Sequence, residues 1–289
     1  MQIRGNKWSM SKRKSRRANP FTMILLVLAI GAVVLFDRTV APTIPSLFLP
    51  TPTITQPPET YISSAEQLVS TGKLKQAIDS YKQARIVDPK NPSLYINLAK
   101  LEIYTTDYQG ALNDASDALL INPKNSAALA VQGWAYNFLG DYARAQESLQ
   151  NAITEDPNNA AAYAYLSETL LNVVASGTGQ LSTMDQAIAY SKTAQTLAPD
   201  ALETHRARGL VLENTSNYEE AVAEFKAAIA INENIADLHL ALGRNYRATQ
   251  NYDEAINEFS RALALNPNDP MAYTLISRTY FTNGDHTKA

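Results

Sequence analysis

An all-α solenoid of stacked helical hairpins is the fold class the sequence predicts, and three observations predict it. An alanine recurs at Ala77, Ala111, Ala145, Ala187, Ala221, Ala255 and Ala289, with separations of 34, 34, 42, 34, 34 and 34 residues. A fixed period of that length belongs to solenoids, whose units cannot bury an apolar face alone. Within each period the apolar and small residues fall three or four apart, which places them on one stripe of a helix. A proline closes most periods, at Pro89, Pro123, Pro157, Pro199 and Pro267. Lacking an N–H and restricting the residue before it, proline stops a helix there.

The copy at 236–269 shows the unit most clearly. Leu242, Gly243 and Tyr246 mark its first helix, and Ala255, Phe259 and Ala262 its second. Small residues at Gly243, Ala255 and Ala262 let the two helices approach, while Tyr246 and Phe259 fill the remaining volume to native density. A second alanine follows seven residues after each of the first six, at Ala84, Ala118, Ala152, Ala194, Ala228 and Ala262. A small residue marks each first helix, at Ala65, Ala99, Gly133, Ser167, Gly209, Gly243 and Ser277. On these positions, residues 58–289 resemble the tetratricopeptide repeat family. The resemblance implies antiparallel helix pairs stacked into a right-handed superhelix, with a concave groove that takes peptides or partner segments. It also implies a scaffold and not an enzyme.

Taken in order, the chain opens on residues 1–20, which hold seven Lys or Arg and no acid. Residues 21–36 are apolar or small and uncharged. At about 1.5 Å per residue they span roughly 24 Å, so a transmembrane signal-anchor helix is expected over 21–40 with the helix carried past Asp37 and Arg38. The basic flank would keep the N-terminus cytoplasmic and make this a single-pass membrane protein with the array extracytoplasmic. The alternative is a signal peptide cleaved near Ala41, releasing a secreted soluble binding protein. Residues 41–57, rich in Pro and Thr, read as an extended spacer.

The solenoid then runs over copies 58–91, 92–125, 126–159, 160–201, 202–235 and 236–269, with a partial copy at 270–289. The fourth copy is eight residues too long, and Ser176, Gly177, Thr178 and Gly179 place the excess at the turn between its helices. Such an insertion is either neutral at a hairpin tip or a contact loop. The last copy lacks most of its second helix, so either one helix caps the array or the chain continues beyond residue 289, where a catalytic domain would make this the recognition part of a larger enzyme.

The composition narrows the chemistry. There is no cysteine, so thiolate catalysis, disulfides and Cys-held metals are excluded. The formal charge of −3 divides into a basic N-terminal segment and a remainder at −10, a poor match to nucleic acid. His205, His239 and His286 lack any paired-ligand spacing, no phosphate loop or G-x-S-x-G is present, and no cofactor is expected. In repeats of the resembled family the groove is lined from the first helix of each pair. That register selects Ile103, Tyr104, Trp134 and Phe138 as an apolar end, and Arg206, Arg244, Arg247 and Arg278 as a cationic end. The expected partner is a protein or peptide segment with hydrophobic anchors and an acidic stretch. The alternative is that Trp134 and Phe138 pack between neighbouring first helices, and that the arginines pair with acids such as Glu213 and Asp237.

Overall fold

The computed structural model describes residues 19–39, 56–180 and 182–288, and divides into two compact units, Met1–Thr55 and Gln56–Ala289. The expectations placed on 1–18, on most of the 41–57 spacer and on Ala289 lie outside the described residues. In the first unit α1 runs Pro20–Thr39. Its uninterrupted apolar run ends at Phe36, before Asp37 and Arg38, and at about 24 Å it falls short of a hydrocarbon core of about 30 Å. Among the described residues no helix is long and apolar enough to cross a membrane. That finding corrects the transmembrane signal-anchor over 21–40, the membrane tether and the extracytoplasmic placement of the array.

The second unit is entirely helical among its described residues. Six hairpins follow the 34-residue period: α2 (Pro58–Ser70) with α3 (Leu74–Val87), α4 (Pro92–Tyr104) with α5 (Tyr108–Ile121), α6 (Ser126–Phe138) with α7 (Tyr142–Glu155), α8 (Ala160–Ala175) with α9 (Thr183–Leu197), α10 (Leu202–Asn214) with α11 (Tyr218–Ile231), and α12 (Ala236–Ala248) with α13 (Tyr252–Leu265). A last helix, α14 (Pro270–Thr282), stacks on them. Each helix packs on its hairpin partner and on the next hairpin, giving the chain of nearest-neighbour contacts that defines a solenoid.

Local chemistry sets the ends of these helices. Asn91, Asn125, Asn159 and Asp269 cap first helices by accepting from the backbone N–H of Ser93, Ala128, Ala162 and Met271. Asp107 and Asp141 do the same for Gly110 and Arg144 at the start of second helices. Each first helix ends beside a left-handed residue. Glycine fills that place at Gly72, Gly140, Gly177 and Gly284, whereas Thr106, Ser216 and Gln250 adopt φ of 67°, 62° and 62° with a side chain present.

The alanine ladder forms the spine of the core, with Ala77, Ala111, Ala145, Ala187, Ala221 and Ala255 all fully buried. Small residues on first helices face a second-helix residue of compensating size. A Cβ placed on Gly243 would stand 2.5 Å from Cε1 of Phe259, and one on Gly133 would stand 2.6 Å from Cγ of Leu149. Hairpins therefore close only where this position stays small. In the fourth copy Ser167 takes the place and donates to the carbonyl of Ala187 at 2.7 Å. The extra length of that copy is shared between helix and turn: α8 runs to 16 residues where the other first helices of the array have 13.

Candidate functional site

The first helices face a common interior, and their side chains meet there across copies distant in sequence. Lys100 on α4 reaches Glu203 on α10, Nζ to Oε1 at 3.1 Å, and the Tyr165 hydroxyl on α8 donates to the same oxygen at 3.4 Å. Burial pushes the Glu203 carboxyl up, but Lys100 holds it below the usual range.

Arg206 stands at the centre of this interior, 5% exposed. Its Nε and Nη2 donate to the two carboxylate oxygens of Glu168 at 3.1 Å each, and Nη2 also lies 2.6 Å from Asp237. Burial opposes its charge, yet the two acids raise its pKa above the ordinary arginine value; burial likewise pushes the Asp237 carboxyl up, but Arg206 and then Arg244 hold it below the usual range. The guanidinium lies 5.6 Å from the ring centre of Trp134 and 5.9 Å from that of Phe138. Trp134 is fully buried, stacked on Tyr165 at 4.3 Å, edge-on to Tyr104 at 5.6 Å, and donating from Nε1 to Glu168 at 3.3 Å. Phe138 stacks on Tyr108 at 4.7 Å.

These contacts place the eight residues singled out from the sequence. Ile103, Trp134 and Arg206 are buried and border, from within, the cavity described next. Tyr104 and Phe138 are half-buried and line, with Tyr108, Asp237 and Leu240, a cavity of about 820 Å³. Arg244 is half-buried and clamped to Glu213 through two hydrogen bonds of 2.8 and 3.1 Å. Arg247 and Arg278 differ from the rest, having no acid partner among the described residues. Burial pushes the Arg247 pKa down, and the neighbouring charges of Arg278 and Arg244 push it the same way.

Sequence reasoning missed Lys100, Tyr165, Glu168 and Glu203, although a signal for three of them was present. Lys100, Trp134 and Glu168 are successive copies of one register position 34 residues apart, and Glu203 repeats at Asp237 after another 34. Only the register read through the acids as well as the arginines finds the network. Two of the three histidines pack in the array with carboxylate partners: His205 Nδ1 lies 2.7 Å from Glu224 and His239 Nδ1 lies 2.6 Å from Glu258.

The rim near the C-terminus has a different character. Arg278 lines a second cavity, of about 680 Å³, with Ser277, Phe281, Thr282 and His286. Phe281 is 65% exposed there, its ring 5.0 Å from that of His286.

Models described as tetratricopeptide repeat or TPR repeat match residues 65–101, 126–159, 181–234 and 215–289. Among solved structures, a thermophilic TPR protein of Thermus thermophilus aligns at 23% identity over 66% of this chain and 100% of its own, with a TM-score of 0.55. The Cut9-Hcn1 hetero-tetramer of the APC/C aligns at 18% identity and a TM-score of 0.55, over 88% of this chain and 46% of its own. At these identities the likeness is one of fold. No curated protein matches the sequence.

Proposed function

Because the chain belongs to the tetratricopeptide repeat family, whose members generally mediate protein–protein interactions, we propose that its solenoid is a non-catalytic binding module that takes a protein or peptide segment at the C-terminal part of its interior face. One observation carries this reading. Arg247 and Arg278 are neighbouring cations without acid partners among the described residues, and Arg247 is half-buried. A desolvated guanidinium pressed by like charge is relieved by an incoming carboxylate, and the planar fork gives that contact direction. Phe281, exposed beside Arg278, supplies the apolar anchor. The favoured ligand is therefore an extended or helical segment carrying acids and at least one hydrophobic side chain.

A peptide array of acidic, aromatic-containing segments, probed with the full chain, tests it. Arg247→Glu/Arg278→Glu should lose most of the binding seen with wild type, and wild-type binding should weaken with added salt. Equal binding by the double variant would reject the assignment.

A further inference from the structure

Side chains at three places, Asn234, Lys100 and Tyr104, join parts of the array that the repeat order keeps apart. At the junction of α2 and α3, Gly72 sits against Asn234 at the junction of α11 and α12, and a Cβ on Gly72 would stand 3.5 Å from the Cβ of Asn234. The Asn234 amide Nδ2 donates to the carbonyl of Val69 at 3.5 Å. Lys100 and Tyr165 both meet Glu203. Tyr104 packs against three separate hydrophobic clusters: that of the first two copies, that of the central copies, and that built on Leu202, Phe225 and Leu238. The contacts of Asn234, Lys100 and Tyr104 close the same gap, from copies one and two to copy five and the start of copy six. The volume they enclose is already filled by Trp134, Tyr165 and the buried Arg206–Glu168 pair.

We infer that the solenoid is latched shut across its own interior by Asn234 against the Gly72 turn and by Lys100 against Glu203, so that a partner segment reaches the buried Trp134–Tyr165 stack only when this latch parts. The chain's own arginine occupies the aromatic interior in place of a ligand. What stays open is the cavity between the two latched edges and the C-terminal rim. The latch is thus an autoinhibitory contact: a segment entering the middle of the array must displace Glu203 from Lys100 and draw Tyr104 out of the clusters it bridges. Arg247 and Arg278, without acid partners among the described residues, lie outside the latched region, on α12 and α14.

The absence of cysteine makes the latch directly testable. In the full chain, Gly72→Cys/Asn234→Cys places one thiol pair near the Cβ separation of a disulfide, about 3.5–4.5 Å. Gly72 has a φ of 75°, which strains any side chain, so Lys73→Cys/Asn234→Cys is made alongside. Mild oxidation of the folded protein should form an intramolecular bond in at least one pair, and oxidation in concentrated urea should form far less. In a second arm, Trp8→Phe leaves Trp134 as the only tryptophan. Its acrylamide quenching should rise several-fold in Lys100→Glu while the helical circular dichroism is kept, and should return toward the starting value in Lys100→Glu/Glu203→Lys. No crosslink in either pair, or quenching of Trp134 indifferent to Lys100→Glu, would overturn the latch. Neither arm uses a partner, so their failure leaves the reading of Arg247 and Arg278 standing.

Discussion

The guanidinium of Arg206 grips both carboxylate oxygens of Glu168, 38 positions earlier in the chain, through two hydrogen bonds of 3.1 Å. Both side chains are about 6% exposed, so neither charge has bulk water to fall back on. A buried pair of this kind is weak in net terms but costly to break from one side. Arg206→Met should lower stability by about 3–5 kcal/mol because Glu168 is left buried without its charge partner. Arg206→Met/Glu168→Leu should recover most of that loss. Urea unfolding of the three proteins checks it, and a double variant as weak as the single would contradict the pair as the source.

Helix approach gives a second expectation. Phe259 is fully buried and its ring occupies the space a side chain on Gly243 would need. Gly243→Ala should cost about 1–3 kcal/mol by overpacking, and Gly243→Leu more. Trimming the facing ring, in Gly243→Ala/Phe259→Leu, should lessen the cost. Thermal melts showing Gly243→Ala equal to wild type would mean the hairpin does not close as tightly as 2.5 Å implies.

These two sites also show which features the sequence carries. The Gly243–Phe259 contact recurs as Gly209–Phe225 and Gly133–Leu149, so periodicity reveals it without coordinates. The hairpin order, the alanine spine and the closing prolines were legible for the same reason: each is a nearest-neighbour demand repeated in every copy. The interior network was less so. Glu168 and Arg206 are 38 apart, where equal register positions across the lengthened fourth copy are 42 apart, because they occupy different register positions on either side of its longer turn. Lys100 and Glu203 lie 103 apart and meet through the curvature of the whole array, which no local pattern encodes. Arg244 with Glu213 and Arg206 with Asp237 followed the pairing alternative, whereas Arg247 and Arg278 have no acid partner among the described residues. The apolar run at 21–36 was read as long enough to span a bilayer, a judgement of length that the described helix does not meet.

A third prediction concerns the turns. Thr106, Ser216 and Gln250 hold the left-handed place that glycine fills in the other copies. That conformation costs a residue with a Cβ about 1–2 kcal/mol, partly offset by the entropy a glycine loses on folding. Thr106→Gly, Ser216→Gly and Gln250→Gly should each stabilise the array by roughly 0.5 kcal/mol, and the triple variant should add these gains because the sites are far apart. A fall in melting temperature for all three would show that the entropy a glycine loses on folding outweighs the backbone strain relieved.

The last prediction is of pH dependence. Glu102 on α4 is 3% exposed, and its Oε2 has no hydrogen-bond partner. Burial, and then the nearby Asp114 carboxylate, push its pKa up from 4.5 to about 7 against the pull of Lys82, 3.6 Å away; Asp107 adds to the upward push. Asp114 is itself raised by burial and held by Arg85. With the folded value above the unfolded one, the folded chain keeps this proton while the unfolded chain has released it. The contribution of Glu102 to stability is therefore complete below about pH 4.5 and is lost as the pH rises to about 7. Glu102→Gln removes the ionisation and keeps the shape. It should match the parent near pH 4 and exceed it by more than 1 kcal/mol at pH 8, a difference isolated from other titrating groups by comparing the two urea-denaturation profiles at each pH. A constant gap between parent and variant from pH 4 to 8 would mean that Glu102 is ionised throughout, satisfied by Lys82 despite its burial.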